Sequence, residues 1–153
     1  MKKINKGSMF SIKIDNKFYC GQIIEINKPT IAVIIFLEEI KDKKECDPTK
    51  LTPLLISNTF PLKFNTGDWQ ICCVKKPIIE YKPVYKINKN EELLLVDIKG
   101  NKLKKLKSKE ADKYLFERYD TPALIEKIIK KSMNEEELTD SEKKLLFSKY
   151  QSI

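Results

Sequence analysis

The sequence contains no histidine, and this absence removes much of the chemistry that enzymes use. Histidine is the commonest general base and a frequent metal ligand, so His-dependent catalytic triads and His-containing metal sites are excluded. The acidic pairs Glu38-Glu39 and Glu91-Glu92 are neighbours whose side chains point apart on a strand, so neither pair brings two carboxylates to one site. We therefore predict that the protein is not an enzyme and uses no metal or cofactor.

Glycine is also scarce, since the chain has only four glycines, and they are widely separated. Phosphate-cradling loops and dinucleotide fingerprints require closely spaced glycines, so neither motif is present. The glycines are better explained by turns and strand irregularities: Gly7, Gly21, Gly67 and Gly100.

The cysteines Cys20, Cys46, Cys72 and Cys73 have no zinc-ribbon spacing, and an adjacent pair does not comfortably bridge to itself. We expect all four to be reduced thiols. A cysteine-dependent enzyme with Cys72 or Cys73 as nucleophile is a further hypothesis, although no neighbouring residue supplies a base.

Long apolar runs are absent as well. The longest, Ile31 to Leu37, is much shorter than the roughly 20 residues of a membrane-spanning helix. The N-terminal lysines are not followed by the continuous apolar stretch of a secretory signal. We expect a cytoplasmic protein with no membrane partner.

Positive charge is what the chain has in excess, with 30 Lys and Arg against 22 Asp and Glu and a formal net charge of +8. This charge favours an acidic partner. Nucleic acid, an anionic membrane surface and an acidic protein would all meet this condition. Arg118 is the only arginine. Because bidentate phosphate and base contacts favour arginine, the composition argues mildly against nucleic acid.

The densest positive cluster surrounds the turn at Gly100 and continues to Lys109. We predict a partner-binding site there, with two aromatic residues as additional contacts. The alternative interpretation is a solubilising lysine face and a tryptophan in the core. The predicted partner-binding residues are Lys99, Lys102, Lys104, Lys105, Trp69 and Tyr81.

The first part of the chain reads as a β-hairpin, with strands at 9–14 and 18–26 around the turn residues Asp15 and Asn16. A two-residue loop places Phe10 opposite Gly21, whereas a three-residue loop shifts the register by one and exchanges the faces. The sequence leaves this choice open.

Apolar patterns predict further strands at 30–37, 54–56, 67–74, 84–87 and 91–98, the first of them buried on both faces. Residues 38–50 are charged and are predicted to form a surface loop. Helical patterns follow: a short turn from Ser108, a helix at 122–131 with Thr121 as N-cap that packs on the sheet, and a last helix at about 140–150 after a Thr139–Glu142 capping box.

Strands first and helices last predict an α+β fold with a curved, mostly antiparallel sheet or partly open β-barrel followed by C-terminal helices. We expect one domain, with residues 1–131 forming the β-rich part with its packing helix and residues 132–153 a C-terminal helical extension of it.

Several short segments, in this order and spacing, resemble the immunity protein 26 family of bacterial toxin–immunity systems. They are Gly7-Ser8-Met9-Phe10, Phe18-Tyr19-Cys20-Gly21-Gln22-Ile23, Gly67-Asp68-Trp69, Leu95-Val96-Asp97 and Gly100-Asn101. The resemblance runs from about Lys6 to about Lys131 and does not cover the last twenty or so residues. Ser8 departs from the family, which usually has an acidic residue there, and Cys20 replaces a more usual aromatic or small residue.

The resemblance implies a non-catalytic antidote that binds and neutralises a cognate bacterial toxin. The basic charge of the chain would complement an acidic contact surface on that toxin. It supplies no catalytic residues. The alternative hypothesis is a small β-barrel nucleic-acid-binding protein that uses the same lysine-rich face with Tyr or Phe stacking. The oligomeric state is left open.

Overall fold

A computed structural model describes residues 3–42 and 46–153. The described residues form two antiparallel sheets and four α-helices, which confirms the predicted α+β class. The strands are β1 (Ser8–Ile14), β2 (Lys17–Asn27), β3 (Thr30–Ile40), β4 (Pro53–Thr59), β5 (Trp69–Val74), β6 (Val84–Lys89), β7 (Glu92–Asp97) and β8 (Lys102–Lys105), and the helices are α1 (Leu62–Asn65), α2 (Ser108–Ala111), α3 (Pro122–Met133) and α4 (Asp140–Lys143).

The chain divides into two compact units, and neither ends at residue 131. Unit 1 comprises Met1–Glu80 and Tyr119–Leu146 and contains β1 to β5 with α1, α3 and α4. Unit 2 comprises Tyr81–Arg118 and Phe147–Ile153 and contains β6 to β8 with α2.

The first hairpin of unit 1 has the two-residue loop, which settles the register. Asp15 and Asn16 both have positive φ, 49° and 67°, as a tight hairpin turn requires, and Asp and Asn tolerate this conformation better than most residues. Phe10 is consequently opposite Gly21, and the apolar alternation of β1 faces one side of the sheet.

The five-stranded sheet of unit 1 has the order β4-β3-β2-β1-β5 and is open, with β4 and β5 at its edges. Strand β3 is buried on both faces from Thr30 to Phe36, as its unbroken apolar run predicted. Helix α3 begins where Thr121 Oγ1 accepts a hydrogen bond from the Leu124 N–H, and it buries Ile125 and Ile128 in the core.

An aromatic cluster lies at the centre of this core. The Phe10 ring stacks on Trp69 with centroids 5.2 Å apart and meets Phe64 edge to face at 4.8 Å. A Cβ at Gly21 would lie only 2.6 Å from Cε2 of Phe10, so a residue without a side chain is required opposite this ring.

A buried glutamine fixes the segment after β5. Nε2 of Gln22 donates to the carbonyl oxygens of Gly7, Lys75 and Lys76 at 3.3, 3.2 and 3.0 Å. Its Oε1 accepts a hydrogen bond from the Ile78 N–H at 2.9 Å. The polar atoms of this fully buried side chain are therefore paired with main-chain groups only.

The expectation of four reduced cysteines was wrong, because Cys20 on β2 is bonded to Cys46, with an S–S distance of 2.06 Å. The two residues are 26 positions apart in the sequence. Cys72 and Cys73 are free thiols of intermediate burial. Of the predicted loop at 38–50, the first residues extend β3 to Ile40, Pro48–Lys50 form a 3₁₀ turn, and residues 43–45 lie outside the described residues.

The predicted last helix at 140–150 was too long, although its capping box of Thr139 and Glu142 is present. Helix α4 ends at Lys143 because the next residues pair with β4: the Leu145 carbonyl accepts from the Ile56 N–H. Leu146 also forms a bridge with Leu55. The residues after Lys143 thus form main-chain hydrogen bonds with the edge strand β4 instead of continuing the helix.

A buried ion pair stabilises the turn between α3 and α4. Lys131 Nζ lies 2.7 Å from Glu142 Oε1, and the Glu142 side chain is 4% exposed. The Lys131 hydrogen bond and the Thr139 N–H together lower the pKa of Glu142 to about 2. The carboxylate is therefore ionised at neutral pH and is protonated only in strong acid.

Unit 2 has a sheet of order β6-β7-β8 and a small core of Val84, Leu95, Leu106 and Ala111. Strand β8, with the sequence Lys-Leu-Lys-Lys, was not predicted because its polar residues show no apolar alternation. Its pairing with β7 makes it a strand.

Candidate partner-binding face

The positive charge of the protein is concentrated in unit 2. Unit 2 has 12 Lys and Arg against 6 Asp and Glu, a formal charge of +6. Unit 1 is more than twice as long and has 18 against 16, a formal charge of +2. The smaller unit therefore produces most of the field that attracts an acidic partner.

Three of the predicted lysines of unit 2 lie on the edge strand β8, and Lys99 lies in the turn that leads into it. We call these four the lysine edge: Lys99, Lys102, Lys104 and Lys105. All four are exposed. Lys104 is opposite Leu95 and Lys105 is opposite Leu94 on β7. Because side chains alternate along a strand, the ammonium groups of Lys104 and Lys105 flank the edge from its two faces.

The turn between β7 and β8 presents Lys99. Asp97 Oδ1 accepts hydrogen bonds from the N–H groups of Lys99 and Asn101 at 3.0 and 2.9 Å. Gly100 has φ +85°, which a residue with a side chain rarely adopts. The hydrogen bonds from Asn101 lower the pKa of Asp97, so this turn keeps its charged acceptor at neutral pH.

Two lysines of the edge have acidic neighbours within unit 2. Lys105 Nζ lies 3.0 Å from Glu92 Oε1, and Lys104 Nζ lies 3.3 Å from Glu110 Oε2. The Lys105 hydrogen bond lowers the pKa of Glu92, and the Glu110 hydrogen bond raises the pKa of Lys104. Such exposed pairs contribute little to stability, so a partner carboxylate replaces them at small cost.

Lys99 and Lys102 differ from these two. Within residues 3–42 and 46–153, neither has a carboxylate at ion-pair distance. The lysine edge thus contains two lysines without a salt bridge beside two that are weakly paired.

Aromatic rings lie under several lysines of unit 2, and two of these pairs bear on the candidate site. Lys104 Nζ is 5.6 Å from the centroid of Tyr114, and Lys86 Nζ is 4.8 Å from that of Phe116. Phe116 is 49% exposed. Residues distant in sequence form both pairs, so only the folded chain reveals them.

The two predicted aromatic contacts are not on a surface. Trp69 is 2% exposed in the core of unit 1, where its Nε1 donates to Glu126 Oε1 at 2.9 Å. Tyr81 of unit 2 is 6% exposed. Because both side chains are buried, neither can contact a partner at the surface. The lysines are the accessible part of the predicted site.

A polar groove of about 490 Å³ lies at the surface of unit 1, lined in part by Lys13, Lys63, Asp68 and Glu126. Lys63 lies 3.9 Å from Asp68 and 3.8 Å from Glu126, so the acidic groups already share a cation. The groove contains no nucleophile paired with a base.

The described part of the chain contains no group of three or more Cys, Asp or Glu side chains placed to hold a metal ion. Likewise, none of the helices described has the length and apolar character needed to cross a membrane.

Comparison with protein-family models, with curated proteins and with solved structures found no match for this chain.

Proposed function

We propose that this protein is a non-catalytic immunity protein, which binds an acidic surface of a cognate toxin through the lysine edge and neutralises the toxin. The observation that carries the proposal is the concentration of exposed lysines on β8 in a unit of charge +6. The sequence resemblance supplies the toxin–antidote context.

Charge of this kind acts mainly on recognition. Complementary surfaces speed diffusional encounter and reject partners of the wrong sign. A toxin that itself binds nucleic acid through a basic cleft would repel the lysine edge, so we propose a toxin with an acidic contact surface.

Co-expression with each neighbouring reading frame tests the proposal. We expect one neighbour to arrest growth and this protein to relieve the arrest. The double variant Lys104→Glu, Lys105→Glu should lose the rescue, because it reverses both charges that flank the edge of β8.

The matched control is Lys75→Glu, Lys76→Glu, which reverses two adjacent exposed lysines of unit 1. It changes the net charge equally and should keep the rescue. Equal loss in both variants would show a net-charge effect, and a failure of every neighbour to arrest growth would contradict the proposal.

The alternative, a nucleic-acid-binding protein, is favoured by one observation: Lys86 lies over the exposed ring of Phe116, and lysine beside an aromatic platform suits single strands. It predicts binding to single-stranded RNA that weakens steeply as salt increases. An undetectable signal at low salt would remove this alternative.

We propose the cytoplasm as the compartment, and the Cys20–Cys46 bond is the observation that counts against it, because structural disulfides are rare there. Counting thiols in protein trapped with an alkylating agent inside cells tests this assignment. A Cys20–Cys46 bond already formed in those cells would place the protein in an oxidising compartment instead.

A further inference from the structure

Strand β8 is an edge with one neighbour. The sheet order β6-β7-β8 leaves one side of β8 without a strand, and all four of its residues are exposed. The outer side of an edge strand presents main-chain N–H and C=O groups, which accept another extended segment.

The lysines decide which segment this edge accepts. A second copy of β8 would place lysines beside lysines, and like charges on adjacent strands are destabilising. An acidic strand would instead be attracted to this edge. Its successive side chains point to opposite faces, so one carboxylate would lie next to Lys104 and another next to Lys105. The residues that prevent self-pairing thus select an acidic partner.

We infer that β8 binds an extended acidic segment of the partner protein as a fourth strand of the unit 2 sheet. This inference rests on the proposed function and specifies the form of the partner's contact. The main chain of the segment pairs with β8, and its carboxylates bind the lysines.

Glu92 and Glu110 are the internal competitors in this arrangement, because they already hold Lys105 and Lys104. Glu110 has a second role, since its Oε1 accepts from the Lys107 N–H at the start of α2. Among the described residues the Glu92 side chain makes no hydrogen bond or salt bridge other than that to Lys105, so Glu92→Gln is the cleaner way to release a lysine.

The test compares two synthetic peptides with the unmodified protein. Both have consecutive Glu residues at their centre with Val on either side, so that carboxylates project to both faces of the strand. One of them is N-methylated on consecutive central residues, which removes main-chain donors on both of its edges but keeps every charge. We expect the plain peptide to bind about tenfold more tightly or better, since two or more hydrogen bonds are at stake.

Amide exchange supplies a second readout. The plain peptide should slow hydrogen exchange of β8 amides in unit 2, whereas a peptide held by charge alone leaves it unchanged. Glu92→Gln should increase the affinity for the plain peptide about two- to threefold, as expected for removal of one exposed competing charge.

The outcomes separate the inference from the proposed function. Equal affinity of the two peptides, or no binding of either, would overturn strand addition and leave the growth-rescue result to decide the antidote proposal. Tighter binding of single-stranded RNA than of the acidic peptide would overturn both. Dimers that the acidic peptide does not dissociate would show that a second copy occupies the edge.

Discussion

Units 1 and 2 use similar antiparallel sheets for different purposes. Unit 1 buries a large core of aromatic and branched residues with little net charge. Unit 2 has a small core cluster of four buried residues and most of the positive charge. Stability depends on the apolar area that is buried, so changes in unit 1 should affect folding. The rate at which a charged partner associates depends on the electrostatic field of the protein, so changes at the edge of unit 2 should affect binding.

The largest effect is expected in the aromatic cluster. Phe10→Ala removes a fully buried ring that contacts Phe64 and Trp69, and it should lower the free energy of unfolding by about 3–5 kcal/mol. Urea denaturation followed by Trp69 fluorescence measures this. A loss no larger than that of an exposed substitution would contradict the assignment of this core.

The disulfide comes next. The double variant Cys20→Ala, Cys46→Ala should lose about 2–4 kcal/mol, because the unfolded chain is no longer restrained by the cross-link. Reductant should destabilise the native chain to the same level and leave this variant unaffected. The control Cys72→Ala, Cys73→Ala removes only free thiols and should change little.

Acid should weaken unit 1 through Glu142. Its pKa is about 2 in the fold and near its ordinary value of 4.5 in the unfolded chain, so its contribution is complete above pH 4.5 and is lost as pH falls toward 2. Denaturation at a series of pH values should show this loss. Glu142→Gln should flatten that part of the profile, and an unchanged slope would contradict the ion pair with Lys131.

A smaller effect is expected at the start of α3. Thr121→Ala removes the side-chain acceptor of the Leu124 N–H and should cost about 1 kcal/mol, whereas Thr121→Ser keeps the hydroxyl and should cost less. Equal losses in the two variants would show that the methyl group rather than the cap matters.

The smallest effect on stability is expected at the lysine edge. Lys104→Glu, Lys105→Glu removes two exposed salt bridges, and the melting temperature should shift far less than in Phe10→Ala. The same variant should abolish partner binding. A large loss of stability would show that the lysines also hold unit 2 together and would break the contrast between the units.

The sequence predicts local features of this fold well. The β1–β2 turn, the unbroken apolar run of β3 and the Thr121 cap depend on residues within a few positions of one another, and the structure has all three. Of these three features, the hairpin alone left a choice to the structure, which has the two-residue loop.

Features that depend on distant residues were missed. The Cys20–Cys46 bond joins residues 26 positions apart, and α4 ends early because Leu145 and Leu146 pair with β4. Strand β8 forms because it pairs with β7, whereas its own sequence has only the pattern of a charged segment. For the candidate site, the lysines were predicted from their density, whereas the burial of Trp69 and Tyr81 required the fold.

Gln22 has a consequence for how this protein tolerates change. It holds residues 75–78 by their main-chain carbonyl and N–H groups alone, and every amino acid except proline offers both groups. Substitutions of Lys75 and Lys76 therefore alter the exposed chemistry of the segment without releasing its path. Because the buried Gln22 amide binds main-chain groups, the backbone of this segment does not depend on its side chains. The side chains of this surface can therefore change while the fold is kept.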